Sequence, residues 1–180
     1  MSEHSLHSSY REKLIEHLLV GELLKFSWRN KDFSLEIAKP EVDNSGYDII
    51  AESNGVIRHI QLKAAFVRSA TASQKSILPW QKPSGCVVLV YFDNETLGLR
   101  LYYFYGAAPE FPLPSLDHLR IAKHTKGYAM RLKADRPNIR ILNKGQFDRL
   151  LNVKELLIGC SEACLESKFF KAMMLLNFAF

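Results

Sequence analysis

An Asn54-Gly55 pair sits between two runs of strand-forming residues, YDIIAE (47–52) and VIRHIQLKA (56–64). Asn-Gly suits the two positive φ angles of a tight hairpin turn, so the pattern predicts two antiparallel strands joined by a two-residue loop. That turn fixes a register. Ser53 then faces Val56, and counting outwards places Asp48 opposite Gln61, with Cβ atoms about 4.5–5.5 Å apart. Lys63, two residues beyond Gln61, points to the same face. Gly46 lies across from Lys63 and leaves room above the sheet. The hairpin alone is thus expected to gather an acid, an amide and an ammonium.

This trio has a chemical use. A hard divalent cation takes oxygen ligands and keeps several waters, needing one or two carboxylates plus substrate phosphate. Asp48 offers a carboxylate, Gln61 an amide oxygen, and the backbone carbonyl of Leu62 a third oxygen. Lys63 would orient a water or offset phosphate charge in the transition state. The plainer alternative is an Asp48–Lys63 surface pair, worth at most about 1 kcal/mol.

The remaining pattern places these strands in an α/β chain. Residues 8–27 read as an amphipathic helix with Ser8 or Ser9 as cap and Glu12 near the capping-box position. Its apolar stripe runs through Ile15, Leu18, Leu19, Leu23 and Phe26. Glu22 falls inside that stripe, where a carboxylate needs a metal or a basic partner. Strands are expected over 33–38, 86–92, 99–105 and 139–142, and a polar loop over 67–84. Two closing helices are expected over 145–157 and 161–178. The last, apolar at Phe169, Phe170, Met173 and Met174, suits core packing or a homodimer interface through residues 161–180.

The length of 180 residues fits one domain, with a core over roughly 8–145 and helices over 145–180. No apolar run is long enough for a membrane span, and the N-terminus lacks a signal pattern, so a cytoplasmic protein is expected. Cys160 and Cys164 stand four apart without a second ligand pair, and Cys86 is isolated. They read as free thiols rather than a zinc site. The net charge of +5 and pI near 9.1 favour a polyanionic partner. The cations cluster at Arg120, Lys123, Lys126, Arg131, Lys133, Arg136, Arg140 and Lys144, against Asp135 alone. That stretch is either a phosphate-binding surface, joined by Lys75 and Lys82 from the polar loop, or a solvated basic face.

The order of these features, a helix with Glu22, a strand, the SGYDII hairpin and IQLKA, resembles the PD-(D/E)XK nuclease superfamily. The nearest likeness is to Holliday-junction resolvases and small restriction-endonuclease-like proteins, over roughly residues 10–105. The resemblance implies an αβββαβ core: a mixed sheet carrying an antiparallel hairpin and flanked by helices. It implies a Mg²⁺- or Mn²⁺-dependent endonuclease acting on DNA. Asp48 takes the position of the second-strand aspartate, Gln61 that of the third-strand acid, Lys63 that of the lysine, and Glu22 that of the helical glutamate. Two residues depart from the motif. Tyr47 replaces the proline, and neutral Gln61 replaces an acid, which leaves the site one charge short unless Glu41 or Asp43 compensates. A catalytically inactive nucleic-acid-binding or assembly module on the same fold is the alternative.

Overall fold

The computed structural model describes residues 6–42, 46–67, 69, 73–77, 82, 84–111, 113, 116, 118–123, 135–153 and 155–156; for 73–77 and 138 it describes the backbone only. Helix α1 spans Ser8–Arg29. His7 occupies its N-cap without a side-chain bond, so neither serine caps it. At the other end the Asn30 side chain donates to the Phe26 carbonyl at 2.8 Å, and Lys31 turns into positive φ. These two features stop the helix. No helix among the described residues is long and apolar enough to cross a membrane.

Strands β1 (Glu36–Ala38), β2 (Ile49–Ser53) and β3 (Val56–Phe66) form an antiparallel meander. Asn54 and Gly55 have φ of 52° and 79°, the two positive values of the expected tight turn. The register from Ser53↔Val56 to Ile49↔Ile60 is the expected one. Strand β4 (Ser73–Ile77) follows. Strand β5 (Gly85–Phe92) then pairs parallel to β3, and β6 (Leu99–Gly106) returns antiparallel to β5. Strands β7 (Ile121–Lys123), β8 (Asp135–Asn143) and β9 (Asp148–Leu150) complete the order. The main sheet reads β1-β2-β3-β5-β6-β9, and a second sheet reads β4-β8-β7. The fold is therefore mixed α/β with a six-stranded mixed sheet.

All eight residues of β5 are buried, which explains its continuous apolar run. Its two faces feed separate cores. Cys86, Val88 and Val90 pack with Leu19 and Leu23 of α1 and with Ile49, Ala51 and Ile60. Val87, Leu89 and Tyr91 pack on the other face with Tyr105, Leu142 of β8 and Phe147. Loop residues Leu113 and Leu119 join that second core. One helix thus covers one face of the main sheet, while β8 and irregular chain cover the other.

Three expectations change. The segment between β3 and β5 carries strand β4, not only a loop, and the described part contains no helix of the kind the resemblance implied. The 145–157 helix gives way to a single 3-10 turn over Lys144–Gln146, the strand β9 and a short helical stretch at Glu155 and Leu156. Gln146 accepts the Asn143 N–H at 2.7 Å, closing that turn early. Backbone groups at the β6 edge then pair Tyr102–Phe104 with β9, and Leu150 enters the α1 core. The strand expected at 139–142 runs longer, with Pro137 lying where the β7–β8 register breaks. The expected helix over 161–178, with its dimer interface, lies outside the described residues.

No atom lies within 4 Å of a Cβ built on Gly55, so any penalty there is conformational. Gly55→Val is expected to destabilise the fold by about 1–2 kcal/mol, the cost of a left-handed non-glycine residue. Urea denaturation should show a lower midpoint with an unchanged slope.

Candidate functional site

Strand β3 outruns β2. The two pair only as far as Ile49↔Ile60, whereas β3 continues beside β5 to Phe66↔Phe92. At the point where β2 ends, the ladder slips by one residue: the Asp48 N–H donates to the Ile60 carbonyl at 2.8 Å. Asp48 is therefore not directly opposite Gln61, as the hairpin count had placed it. Its carboxylate instead runs along the open edge of β3, and Oδ2 accepts the Leu62 N–H at 2.7 Å. In an extended strand a residue's N–H and C=O point to the same edge. The Leu62 carbonyl consequently faces the open edge as well.

A cavity of about 500 Å³ occupies this edge. Asp48, Leu62, Lys63 and Ala64 form one side, and the first half of α1 forms the other through Ser9, Arg11, Glu12, Lys13 and Glu16. Glu16 is only 4% exposed. Lys39, just past β1, brings its Nζ to 2.6 Å from Oε1, and Lys13 reaches Oε2 at 2.9 Å. Burial by itself would raise the Glu16 pKa, but the hydrogen bonds from Lys39 and Lys13 outweigh it and hold the carboxyl below its usual range. Arg11 lies over the Phe66 ring at 5.5 Å. Lys63 forms no ion pair among the described residues, so the surface-pair reading of Asp48 with Lys63 does not hold.

Of the expected site, the structure brings Asp48, Lys63 and the Leu62 peptide together. Gln61 is buried at 5% exposure and does not line the cavity. Glu22 pairs with Lys25 at 2.8 Å on the partly exposed side of α1 and does not reach the cavity either. The helix carboxylates that line the cavity are Glu12 and Glu16. The signal was present in the sequence: Glu16, Leu19, Leu23 and Ser27 share one face at helical spacing, and all four are buried. Glu22 follows Leu18, which is only partly buried.

Of the expected phosphate contacts, Lys123, Arg136 and Arg140 stand on the paired strands β7 and β8, and Lys82 lies beside Tyr47. Lys82 lies over the Tyr47 ring at 5.7 Å. Lys123 approaches Asp135 at 4.0 Å. Arg136 is exposed, and Arg140 donates to the Pro137 carbonyl. Lys126, Arg131, Lys133 and the side chain of Lys75 lie outside the described residues, as does Asp43; Glu41 is exposed and away from the cavity. Cys86 is a buried free thiol, which burial pushes up to about 12 against the lowering effect of Arg58. Cys160 and Cys164 also lie outside the described residues.

The oxygen donors at the cavity are the carboxylates of Asp48, Glu12 and Glu16 and the Leu62 carbonyl. No group of three or more His, Cys, Asp or Glu suited to a metal exists among the described residues. A Mg²⁺ or Mn²⁺ ion held there would have to keep most of its waters. Compared with known family models, curated proteins and solved structures, the chain finds no match.

The depressed Glu16 pKa makes stability pH-dependent. Its contribution is present above the ordinary value of 4.5 and is lost as pH falls through the lower folded value. Glu16→Gln is expected to cost about 2 kcal/mol at pH 7, the scale of charged hydrogen bonds. Its thermal unfolding should also lose less stability than the native chain between pH 5 and about pH 3.

Proposed function

We propose that this chain is a divalent-metal-dependent nuclease of the PD-(D/E)XK type, hydrolysing phosphodiester bonds of DNA internally. The observation that carries the reading is the open end of β3. There the Asp48 carboxylate is fixed on the Leu62 N–H, Lys63 stands one residue further on, and buried Glu16 lines the same cavity. Strand β4 in the crossover is a departure from the core that the family implies, so the support comes from the site rather than from the whole topology.

Asp48 and the Leu62 carbonyl would hold Mg²⁺ or Mn²⁺, with Glu16 as a direct or water-mediated ligand. A cation bound there supplies acidity to water and polarises phosphate oxygens. Lys63 would hold the attacking water in line or offset charge on the phosphate as the bond breaks. The Leu62 N–H fixes the Asp48 rotamer, so the carboxylate is oriented before substrate arrives. Gln61, buried on the same face of β3 as Lys63, does not line the cavity and is left out of the ligand set.

A second reading has its own observation. Arg11, Lys13, Lys39 and Lys63 outnumber Glu12, Glu16 and Asp48 around the cavity, and Glu16 is already engaged by two lysines. That balance suits a phosphate better than a bare cation, as in a module that binds nucleic acid without cutting it. Binding that persists in EDTA, falls steeply with salt and never yields products from plasmid, branched DNA or RNA would select this reading.

Under the nuclease reading, Asp48→Asn and Lys63→Ala should each lower plasmid cleavage in Mg²⁺ by at least about 100-fold. Circular dichroism should stay native, since Asn keeps an acceptor for the Leu62 N–H. Glu16→Gln should also be impaired, while Glu22→Gln cuts at the native rate. Native cleavage by the Asp48 variant would sink the mechanism.

A further inference from the structure

Beside Asp48, but on the sheet face turned from α1, lies a cluster that the cavity does not use. His59 alternates with Ile60, which packs under α1, so the imidazole points to the opposite face. The Tyr47 ring meets His59 edge-on, with centroids 4.9 Å apart at 74°. The Lys82 ammonium lies 5.7 Å from the Tyr47 centroid, close to the outer limit of about 6 Å for a cation–π contact. Its backbone is held by the Gly85 N–H at 3.1 Å. Tyr47, His59 and Lys82 are all partly exposed, and neither hydrophobic core includes the two rings.

From this geometry we propose that Tyr47, His59 and Lys82 form a stacking subsite for one unpaired nucleobase, which makes single-stranded nucleic acid the substrate class of the adjoining site. The placement rests on the nuclease or nucleic-acid-binding reading above and adds the form of the strand. Tyr47 is bonded to Asp48, and adjacent Cα atoms lie about 3.8 Å apart. The two side chains leave the strand end on opposite faces, so a strand with a base on the Tyr47 ring reaches the Asp48 carboxylate by passing around the open edge of β3. Every base offers a π-face, so such a platform needs no particular sequence. A base inside a duplex is stacked on its neighbours and cannot reach it without flipping out. The Lys82 ammonium, 5.7 Å from the ring centroid, is in place to pair with the phosphate flanking the stacked base.

The test is binding in EDTA, which removes cleavage from the readout. Fluorescence anisotropy would compare a labelled 15-nucleotide DNA strand, the RNA strand of the same sequence, and the DNA duplex. One or both single strands should bind at least tenfold tighter than the duplex. Tyr47→Ala should weaken that binding by about tenfold or more, and Tyr47→Phe should retain it. Lys82→Ala, a change in a partly exposed loop side chain, should lower the salt slope by about 0.7. A 2-aminopurine base in the strand should be quenched by the native chain and by Tyr47→Phe, but not by Tyr47→Ala. Equal or tighter binding of duplex, native affinity in Tyr47→Ala, or no binding of any strand would overturn the subsite. Those outcomes leave the Asp48 cleavage test untouched, and failed cleavage leaves the stacking test untouched.

Discussion

The site depends on a mismatch of strand lengths. β3 has eleven residues, β2 has five, and β5 covers only one edge of β3 beyond Ile60. The uncovered edge presents backbone groups that need partners, because an orphaned N–H at a partly buried position costs about 1–3 kcal/mol. Asp48 answers part of that need. Its N–H slips to the Ile60 carbonyl and its carboxylate takes the Leu62 N–H, so a side chain continues the ladder where the backbone of β2 has stopped. The same bond orients the carboxylate and leaves the Leu62 carbonyl at the edge. Extending β2 by two residues would fill the edge with backbone and remove the cavity.

Helix α1 closes the other side because its two halves do different things. Leu19 and Leu23 anchor it in the core shared with Ile49, Ile60 and Val88. The turns before Leu19 overhang the open end of β3, where no strand among the described residues pairs with it on the β2 side. Glu16 occupies the junction. A carboxylate buried there is tolerated because Lys39, from the end of β1, and Lys13, from the same helix, supply charged hydrogen bonds. Two elements, α1 and the end of β1, therefore converge on one carboxylate, and the lysines that stabilise it also bring positive charge to the cavity.

The second face of the sheet is organised by β5. Its strict alternation sends Val87, Leu89 and Tyr91 towards Leu142 and Phe147, so β8 and the residues after it cover this face of the sheet. Further along this face, beyond the apolar core, Tyr47, His59 and Lys82 lie next to Asp48. One aspartate thus stands between a charged cavity and an aromatic-cationic surface.

Local chemistry in the sequence determined a good deal. Asn54-Gly55 dictated the turn and the register down to Ile49↔Ile60, because only a few residues favour two positive φ angles in succession. The apolar run 86–92 dictated a doubly buried strand, and the spacing of Ile15, Leu19 and Leu23 dictated α1. Asp48 and Lys63 were legible as neighbours for the same reason. Tertiary structure decided the rest. Whether Glu16 or Glu22 faces the site depends on where α1 crosses the sheet, which its own periodicity does not specify. Whether Asp48 faces Gln61 or turns to Leu62 depends on where β2 stops. The pairing of β4 with β8 and of β9 with β6 joins segments far apart in the chain, and such pairing is chosen by free sheet edges and shared burial, not by local propensity.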